Sequence, residues 1–401
     1  MRIAIITEGY YPEISGVTTS LDARVRKLAE LGHEVRIYAP DYTAIANIYP
    51  NYKSYIGELF PNVTVIPFPS KPHALEYVRD ARPFSCRHVI KDMEAFTPDV
   101  IHAECPDRLF TGFLSRPGLR YAKRANIPRT AIYHTNYIAY IEDFKKEMRW
   151  LNIPGVEVML QKLSVWIYNS YDVTMVPTPE TEIDLRAYGV KNTRLGYFYG
   201  VDTDTFSPRT VACPPAYESM QDYTKILYVG RLTPDKNLDD LLAAFTHIRQ
   251  KHEKVKFIFI GDGPERDTVK AWSKGHNDTL LLGRIAPEEI SPYFIHADIL
   301  ATASAKENRP LTVLEAMACG LPVVAPAAGG IKDQIVDGET GLLAPPYAPQ
   351  ELADAISRLI TDERLYQKIS ANARQAVLSQ SWENSANEML AVWEGLINGR
   401  S

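Results

Sequence analysis

The chain has 401 residues, 45% of them hydrophobic and 23% charged, with a net charge of −5. That length predicts two domains with ample core, and the mildly acidic balance supplies no electrostatic footprint for nucleic acid. Cys86, Cys105, Cys213 and Cys319 form no C-x-x-C pair, which excludes an obvious zinc site and fits free thiols in a reducing compartment.

The opening MRIAIITEGYYPEISG carries too short an apolar run for a signal peptide. No stretch reaches the roughly 18 apolar residues of a membrane span. The expectation is a cytoplasmic protein that meets any membrane from its surface. Residues 3–7 read as a buried strand, followed by a loop and a helix over residues 20–31 that stops at Gly32-His33. Further strands are expected at residues 35–39, 63–67, 99–103, 130–134 and 173–177. Uninterrupted apolar strands separated by helices imply a parallel sheet covered on both faces. Residues 203–224, rich in proline and poor in periodicity, read as a linker. The pattern then restarts. Strands are expected at residues 225–229, 256–260, 279–282, 299–302 and 323–325, and helices at 237–250, 311–319, 349–360, 363–378 and 381–397. The restart predicts two doubly wound α/β domains, whose ligands bind outside the carboxyl ends of the strands.

Four constellations fall at such strand ends. Glu307 and Glu315 lie eight positions apart, one in a loop and one inside a helix that opens at Pro310 or Leu311. A helix start offers unpaired N–H groups and a positive dipole end to a diphosphate. Glu315, a turn further on, is placed to accept from ribose hydroxyls, and Glu307 to reach a transferred sugar. Gly230-Arg231, with Lys236 five residues later, sets two cations where a departing diphosphate builds charge. Taken singly, each of these charges also reads as a solvated surface residue. Gly16, in Tyr11-Pro12-Glu13-Ile14-Ser15-Gly16-Val17, permits close backbone approach to a phosphate, though the segment is no full dinucleotide fingerprint. His134 ends a strand, with His102 in a comparable place on the preceding one, and either also reads as a structural histidine. Gly283-Arg284 follows a strand and suits a base; Gly261-Asp262-Gly263-Pro264 reads as a structural turn.

This set, in this order, resembles glycosyltransferase family 4, and the resemblance covers almost the whole chain. It implies the GT-B fold: two facing Rossmann-like, doubly wound parallel-sheet domains with an interdomain cleft. It implies hexosyl transfer from a UDP- or GDP-sugar with retention, and no metal or other cofactor. Glu315 then matches the ribose-binding glutamate, Glu307 the one holding the donor sugar, and Arg231 and Lys236 the diphosphate clamp. Gly16 matches the glycine under the phosphates and His134 the histidine that contacts the donor sugar. Gly283, Arg284, Arg309, Pro310, Leu311 and Thr312 complete the donor side. Asn308-Arg309-Pro310 stands where the family often has an aromatic residue and glycine, so Arg309 is expected to bear on donor choice. The family's final helix returns to the first domain, which gives domains of 1–204 plus about 383–401, and 205–382.

Within the family the chain looks nearest to diacylglycerol- and phosphatidylinositol-directed transferases. The run from Tyr133 to Tyr140 suggests this, as does residues 144–168, where Lys145, Lys146 and Arg149 mix with Phe144, Trp150 and Leu151. Such a mix suits an anionic bilayer and equally a core helix with a basic face. A soluble or polysaccharide acceptor, a nucleotide-sugar epimerase or hydrolase, and a non-catalytic nucleotide-binding protein are the alternatives on the same architecture.

Overall fold

The computed structural model describes residues 1–73, 78–134 and 153–400. They form two compact units, Met1–Tyr199 with Trp382–Ser401, and Gly200–Ser381.

The first unit contains strands Arg2–Ile6 (β1), Glu34–Pro40 (β2), Gly57–Phe60 (β3), Val63–Phe68 (β4), Ser70–Pro72 (β5), Arg79–Ala81 (β6), Val100–Glu104 (β7), Arg129–Ile132 (β8), Val173–Val176 (β9) and Thr193–Leu195 (β10). Its helices are Gly16–Glu30 (α1), Cys86–Phe96 (α2), Pro106–Phe113 (α3), Leu119–Ala125 (α4), Val156–Tyr168 (α5) and Pro179–Tyr188 (α6). Eight strands form one sheet in the order β10-β9-β8-β7-β1-β2-β4-β3, parallel except for β3 at the edge. In β1 the residues Ile3, Ala4, Ile5 and Ile6 are all buried, because a parallel sheet needs apolar side chains on both faces. Ala4 and Ile6 pack with Val89, Met93 and Phe96 of α2, while Ile3 and Ile5 turn to the opposite face.

Helix α1 begins earlier than its apolar periodicity indicates. Ser15 caps it: the Ser15 hydroxyl accepts from Thr18 N at 3.2 Å, and Thr18 Oγ1 accepts from Ser15 N at 2.8 Å. This reciprocal capping satisfies two otherwise unpaired N–H groups and pulls the helix start back to Gly16. The helix ends where Gly32 takes φ +83°, a conformation glycine adopts without strain.

The second unit contains Thr224–Val229 (β11), Val255–Ile260 (β12), Thr279–Gly283 (β13), Ile299–Ala301 (β14), Val323–Pro326 (β15) and Leu342–Ala344 (β16). Its helices are Leu238–Lys251 (α7), Arg266–Ser273 (α8), Ser291–Ile295 (α9), Leu311–Ala318 (α10), Ile331–Gln334 (α11), Pro349–Thr361 (α12) and Glu363–Val377 (α13). The sheet is wholly parallel in the order β13-β12-β11-β14-β15-β16. Alternate residues of β11 and β12 feed two cores. Ile226, Tyr228, Phe257 and Phe259 join Leu241, Phe245 and Ile248 of α7. Leu227, Ile258 and Ile260 join Val313, Leu314 and Met317 of α10. Each such buried side chain contributes roughly 1.5–3 kcal/mol. Residues 203–224 are no free linker: Phe206 and Tyr217 are buried in this second core, since two aromatic rings outweigh the proline content around them. The last helix, Trp382–Asn398 (α14), belongs to the first unit, where Trp393 is fully buried and donates to Thr130 Oγ1 at 2.9 Å.

Strand order in the second sheet reverses between β11 and β14, the place where open α/β sheets bind ligands. The turns beside it are held by close backbone approaches. Gly230 N donates to Ile260 O at 3.0 Å, Leu232 N to Asp262 O at 3.0 Å, and Gly261 N to Gly283 O at 2.8 Å. A Cβ on Gly261 would lie 1.8 Å from Gly230 O, and one on Gly263 2.3 Å from Leu232 O. The Gly261-Gly263 turn is thus a structural spacer. Gly261→Ala is expected to lower unfolding free energy in urea by at least about 3 kcal/mol; a loss under about 1 kcal/mol would show that the Gly230 turn yields without cost.

Candidate functional site

Charged groups from two different loops meet at the reversal point of the second sheet. Lys236, from the loop after β11, donates through Nζ to Glu307 Oε1 at 2.7 Å, and Glu307 stands in the loop after β14. Asp235 flanks the pair, 3.4 Å from Lys236 Nζ and 3.3 Å from an Arg231 guanidinium nitrogen. Burial opposes ionisation of Asp235, but Lys236 and Arg231 outweigh it and hold the carboxyl below its usual range. The Arg231 side chain is exposed at the rim, whereas Lys236 is largely enclosed. Asn237 Nδ2 donates to Ala303 O at 3.2 Å, a second link between the same two loops.

Glu307 is fixed from its backbone side as well. Gly330 N donates to Glu307 O at 2.8 Å, and Gly329, at φ +52°, would drive a Cβ to 2.3 Å from the same oxygen. Helix α10 starts four residues after Glu307. Pro310 precedes its first turn, and among the described residues no side chain caps it, so the first N–H groups of the helix, at Leu311 and Thr312, lack a side-chain cap. Leu, Glu, Ala and Met, good helix formers, make up six of the eight residues of Leu311–Ala318, and Gly320, at φ +69°, follows its end. Glu315 sits on this helix, partly exposed. Burial alone pushes its carboxyl up to about 7. No hydrogen bond reaches that carboxylate among the described residues, which leaves it an acceptor for a ligand.

Gly283 lies at the end of β13, buried, with φ +75°, and Arg284 beside it is exposed. Arg309 differs from its neighbours. It is 6% exposed, and its Nη2 donates to Gln380 Oε1 at 2.5 Å. The structure therefore brings Arg231, Lys236, Glu307, Pro310, Leu311, Thr312 and Glu315 to one set of strand ends in the second unit, and turns Arg309 into its interior.

In the first unit, Gly16 opens α1 and is exposed; a Cβ there would meet nothing within 4 Å. Internal packing does not require its small size, which leaves clearance over a capped helix N-terminus. Three residues earlier, Glu13 is buried and accepts from the Tyr42 hydroxyl at 2.9 Å. Burial pushes the Glu13 carboxyl up to about 7. His134 is buried too, with Nε2 hydrogen-bonded to the Glu104 carboxylate and Nδ1 to the Tyr199 hydroxyl. His102 Nδ1 is 2.9 Å from Thr130 Oγ1, its Nε2 is 3.3 Å from Glu104 Oε1, and burial holds its pKa down. Glu104 has no exposure, and Arg24 Nη2 reaches both of its oxygens, at 3.0 and 3.1 Å. Burial works against this charge, yet Arg24 first and His134 next hold the Glu104 carboxyl well below its usual range.

Two family profiles match the chain: Glycosyltransferase Family 4 over residues 14–205, and Glycosyl transferases group 1 over residues 214–376. The chain belongs to glycosyltransferase family 4. It is 26% identical to a GDP-mannose-dependent alpha-mannosyltransferase of Mycobacterium tuberculosis, covering 100% of this chain and 98% of that one. It is 28% identical to the alpha-monoglucosyldiacylglycerol synthase of Streptococcus pneumoniae, covering 89% of this chain and 77% of that one. Among solved structures, sucrose-phosphate synthase of Thermosynechococcus elongatus superposes with a TM-score of 0.78 at 22% identity, covering 99% of both chains. Anabaena HepE in complex with UDP-glucose superposes with a TM-score of 0.73 at 19% identity, covering 99% of this chain and 100% of that one. The fold is GT-B, and the protein is a glycosyltransferase that uses a nucleotide sugar.

Sequence reading alone passed over Glu104 and Arg24. The signal is present in hindsight: His102 and Glu104 are two apart on β7 and so share a face, and an apolar strand that ends in two ionisable residues needs a buried counter-charge. The apolar and basic run at residues 135–152, including Phe144, Lys145, Lys146, Arg149, Trp150 and Leu151, lies outside the described residues. Glu104→Gln leaves Arg24 buried without its counter-ion and is expected to cost about 3–5 kcal/mol at neutral pH, measured by urea denaturation. Because the folded-state pKa of Glu104 is depressed, this contribution exists above the ordinary carboxylate range and fades on acidification. The gap between wild type and variant should therefore shrink below about pH 4.

Proposed function

We propose that this glycosyltransferase moves a hexosyl unit from a UDP- or GDP-sugar to a lipid hydroxyl, with retention of configuration and without a metal ion. The observation that carries the proposal is the Lys236–Glu307 pair beside the uncapped start of α10, with the unpartnered Glu315 carboxylate one turn along. In this reading Glu315 accepts from the ribose hydroxyls, and Gly283-Arg284 borders the base. The N–H groups at Leu311 and Thr312, together with Arg231 and Lys236, hold the diphosphate, and the bare Cα of Gly16 gives a phosphate clearance at the start of α1. Glu307 takes the hydroxyls of the transferred sugar, its orientation set by Lys236. As the anomeric C–O bond breaks, negative charge gathers on the leaving diphosphate, where preorganised cations and helix N–H groups stabilise it. The acceptor oxygen forms the new bond on the same face, and its proton passes to the departing phosphate oxygen. Cations already placed there do the work that Mg²⁺ does elsewhere. A contact between His134 and the donor sugar requires Glu104 or Tyr199 to release a ring nitrogen.

Retention is supported by the names of the relatives. They make alpha-linked products, and the sugar nucleotides of such hexoses carry an alpha-linked diphosphate. The lipid acceptor is supported by the alpha-monoglucosyldiacylglycerol synthases of Streptococcus pneumoniae and Acholeplasma laidlawii. A surface on the first unit is suited to it. Met159 and Trp166 of α5, Leu114 at the end of α3 and Phe84 are exposed large apolar residues. Phe110 and Trp166 pack edge to face at 5.9 Å, and the Arg116 guanidinium lies 3.9 Å over the Trp166 ring. Aromatic rings capped by arginine suit the headgroup layer of an anionic bilayer. Among the described residues no helix is long and apolar enough to cross a membrane, and the protein in this reading works peripherally, from the cytoplasmic face.

Calorimetric titration with UDP and GDP should show binding of one of them, and Glu315→Ala should weaken it by about 1.5–3 kcal/mol, or roughly 10- to 150-fold. The raised Glu315 pKa adds a pH signature. The carboxylate that accepts from ribose grows from about a tenth of the molecules at pH 6 to about nine-tenths at pH 8. Affinity for the intact sugar nucleotide should rise roughly ninefold over that range, and Glu315→Gln should abolish the dependence. Donor turnover as fast without acceptor as with it would point to a hydrolase instead.

A further inference from the structure

Arg309 stands between the two donor-loop features, Glu307 and the start of α10, yet its guanidinium is buried and directed away from them, onto Gln380. Gln380 occupies a particular place. The chain leaves the first unit after Tyr199 and returns to it at Trp382. The two passages run side by side: Val201 N donates to Gln380 O at 2.8 Å, and Val201 bridges Ser381 in parallel fashion. Gln380 is itself tied to the end of α13, through its backbone N to Val377 O at 2.9 Å and its Nε2 to Ala376 O at 3.2 Å.

The far end of α10 is fastened to the same region. Arg374 of α13 donates through Nη1 to Ala318 O at 2.6 Å and Phe206 O at 2.8 Å, and through Nη2 to Thr203 O at 3.0 Å. Helix α10 is thus pinned at both ends to the passages, by Arg309 before its first turn and by Arg374 after its last. Ala373 and Val377 of α13 pack with Val313 and Met317 of α10 along the length between. A guanidinium is an expensive group to bury, and a small residue would fill the space before Pro310 without that cost.

We propose that Arg309 is a positioning residue that transmits occupancy of the nucleotide site on α10 to the paired passages at residues 200–206 and 376–381. The proposal rests on the reading of α10 as the nucleotide-binding helix. A nucleotide held by the first turn of α10 and by Glu315 restrains that helix. The Arg309–Gln380 bond carries the restraint to the one place where the chain crosses between units, through contiguous hydrogen bonds rather than through distance alone. Arg309 in this account acts on the rate of transfer and not on nucleotide affinity.

The test is hydrogen exchange read by mass spectrometry on the full chain, with and without saturating UDP or GDP. In the wild type, nucleotide should slow exchange at residues 311–319 and also at 200–206 and 376–381. In Arg309→Met, protection at 311–319 and the nucleotide Kd should stay within about threefold, while protection at the passages falls at least about fivefold and kcat falls with donor KM unchanged. Gln380→Leu, which keeps Arg309, should reproduce the loss, and Gln380→Glu should retain the coupling. Unchanged protection of the passages in both Arg309→Met and Gln380→Leu overturns the proposal. So does a drop in nucleotide affinity that matches the drop in kcat, since Arg309 would then touch the donor. No protection of 311–319 in the wild type with either nucleotide removes the donor-site reading itself, and this proposal with it.

Discussion

The ion pair between Lys236 Nζ and Glu307 Oε1, at 2.7 Å, spans the point where strand order in the second sheet reverses. Strands β11 and β14 are neighbours there although about 70 residues of chain separate them. Their following loops therefore diverge to opposite faces and leave a crevice. A lysine from one loop and a glutamate from the other can meet only across that crevice. The surrounding glycines follow from the same constraint. Gly261 and Gly263 let the β12 turn lie against the β11 turn, and Gly329 lets the β15 turn lie against Glu307. Backbone is packed on backbone, so the cations and carboxylates above it are held by rigid elements, which is the condition for electrostatic preorganisation.

The first unit solves a different electrostatic problem. Its sheet ends in Glu104, fully buried, and the charge is tolerated because Arg24 from α1 meets both oxygens and His134 meets one. A buried pair of this kind is weak evidence for stability; its role here lies in its contacts. It sets the orientation of the His134 ring, with the Tyr199 hydroxyl on the other nitrogen. The ring is thereby presented in one pose at the carboxyl end of β8. The two units so differ: the second holds an exposed arginine, an enclosed lysine and an open carboxylate, and the first a locked, buried polar cluster.

Much of this was legible in the residues. Apolar runs such as Ile3–Ile6 and the strands of the second unit are near-continuous because both sheet faces are covered, and periodicity detects that directly. The order Gly16, His134, Gly230-Arg231, Lys236, Glu307, Glu315 carried the family. Less visible were features set by single polar contacts. Ser15 and Thr18 move the start of α1 back to Gly16 without changing any apolar spacing. Phe206 and Tyr217 convert a proline-rich stretch into packed structure. The closeness of Lys236 and Glu307, 71 positions apart, depends on sheet order, which no local pattern encodes. Arg309 illustrates the same limit: its position next to Pro310 suggested a group facing the donor, and only the packing of the 380 region shows the side chain going the other way.

A structure of the protein with its nucleoside diphosphate bound tests the central claim most directly. The account predicts the diphosphate against Lys236 and the first N–H groups of α10, with the ribose hydroxyls on Glu315. A nucleotide seated elsewhere, with the Lys236–Glu307 pair and the Glu315 carboxylate untouched, would contradict it.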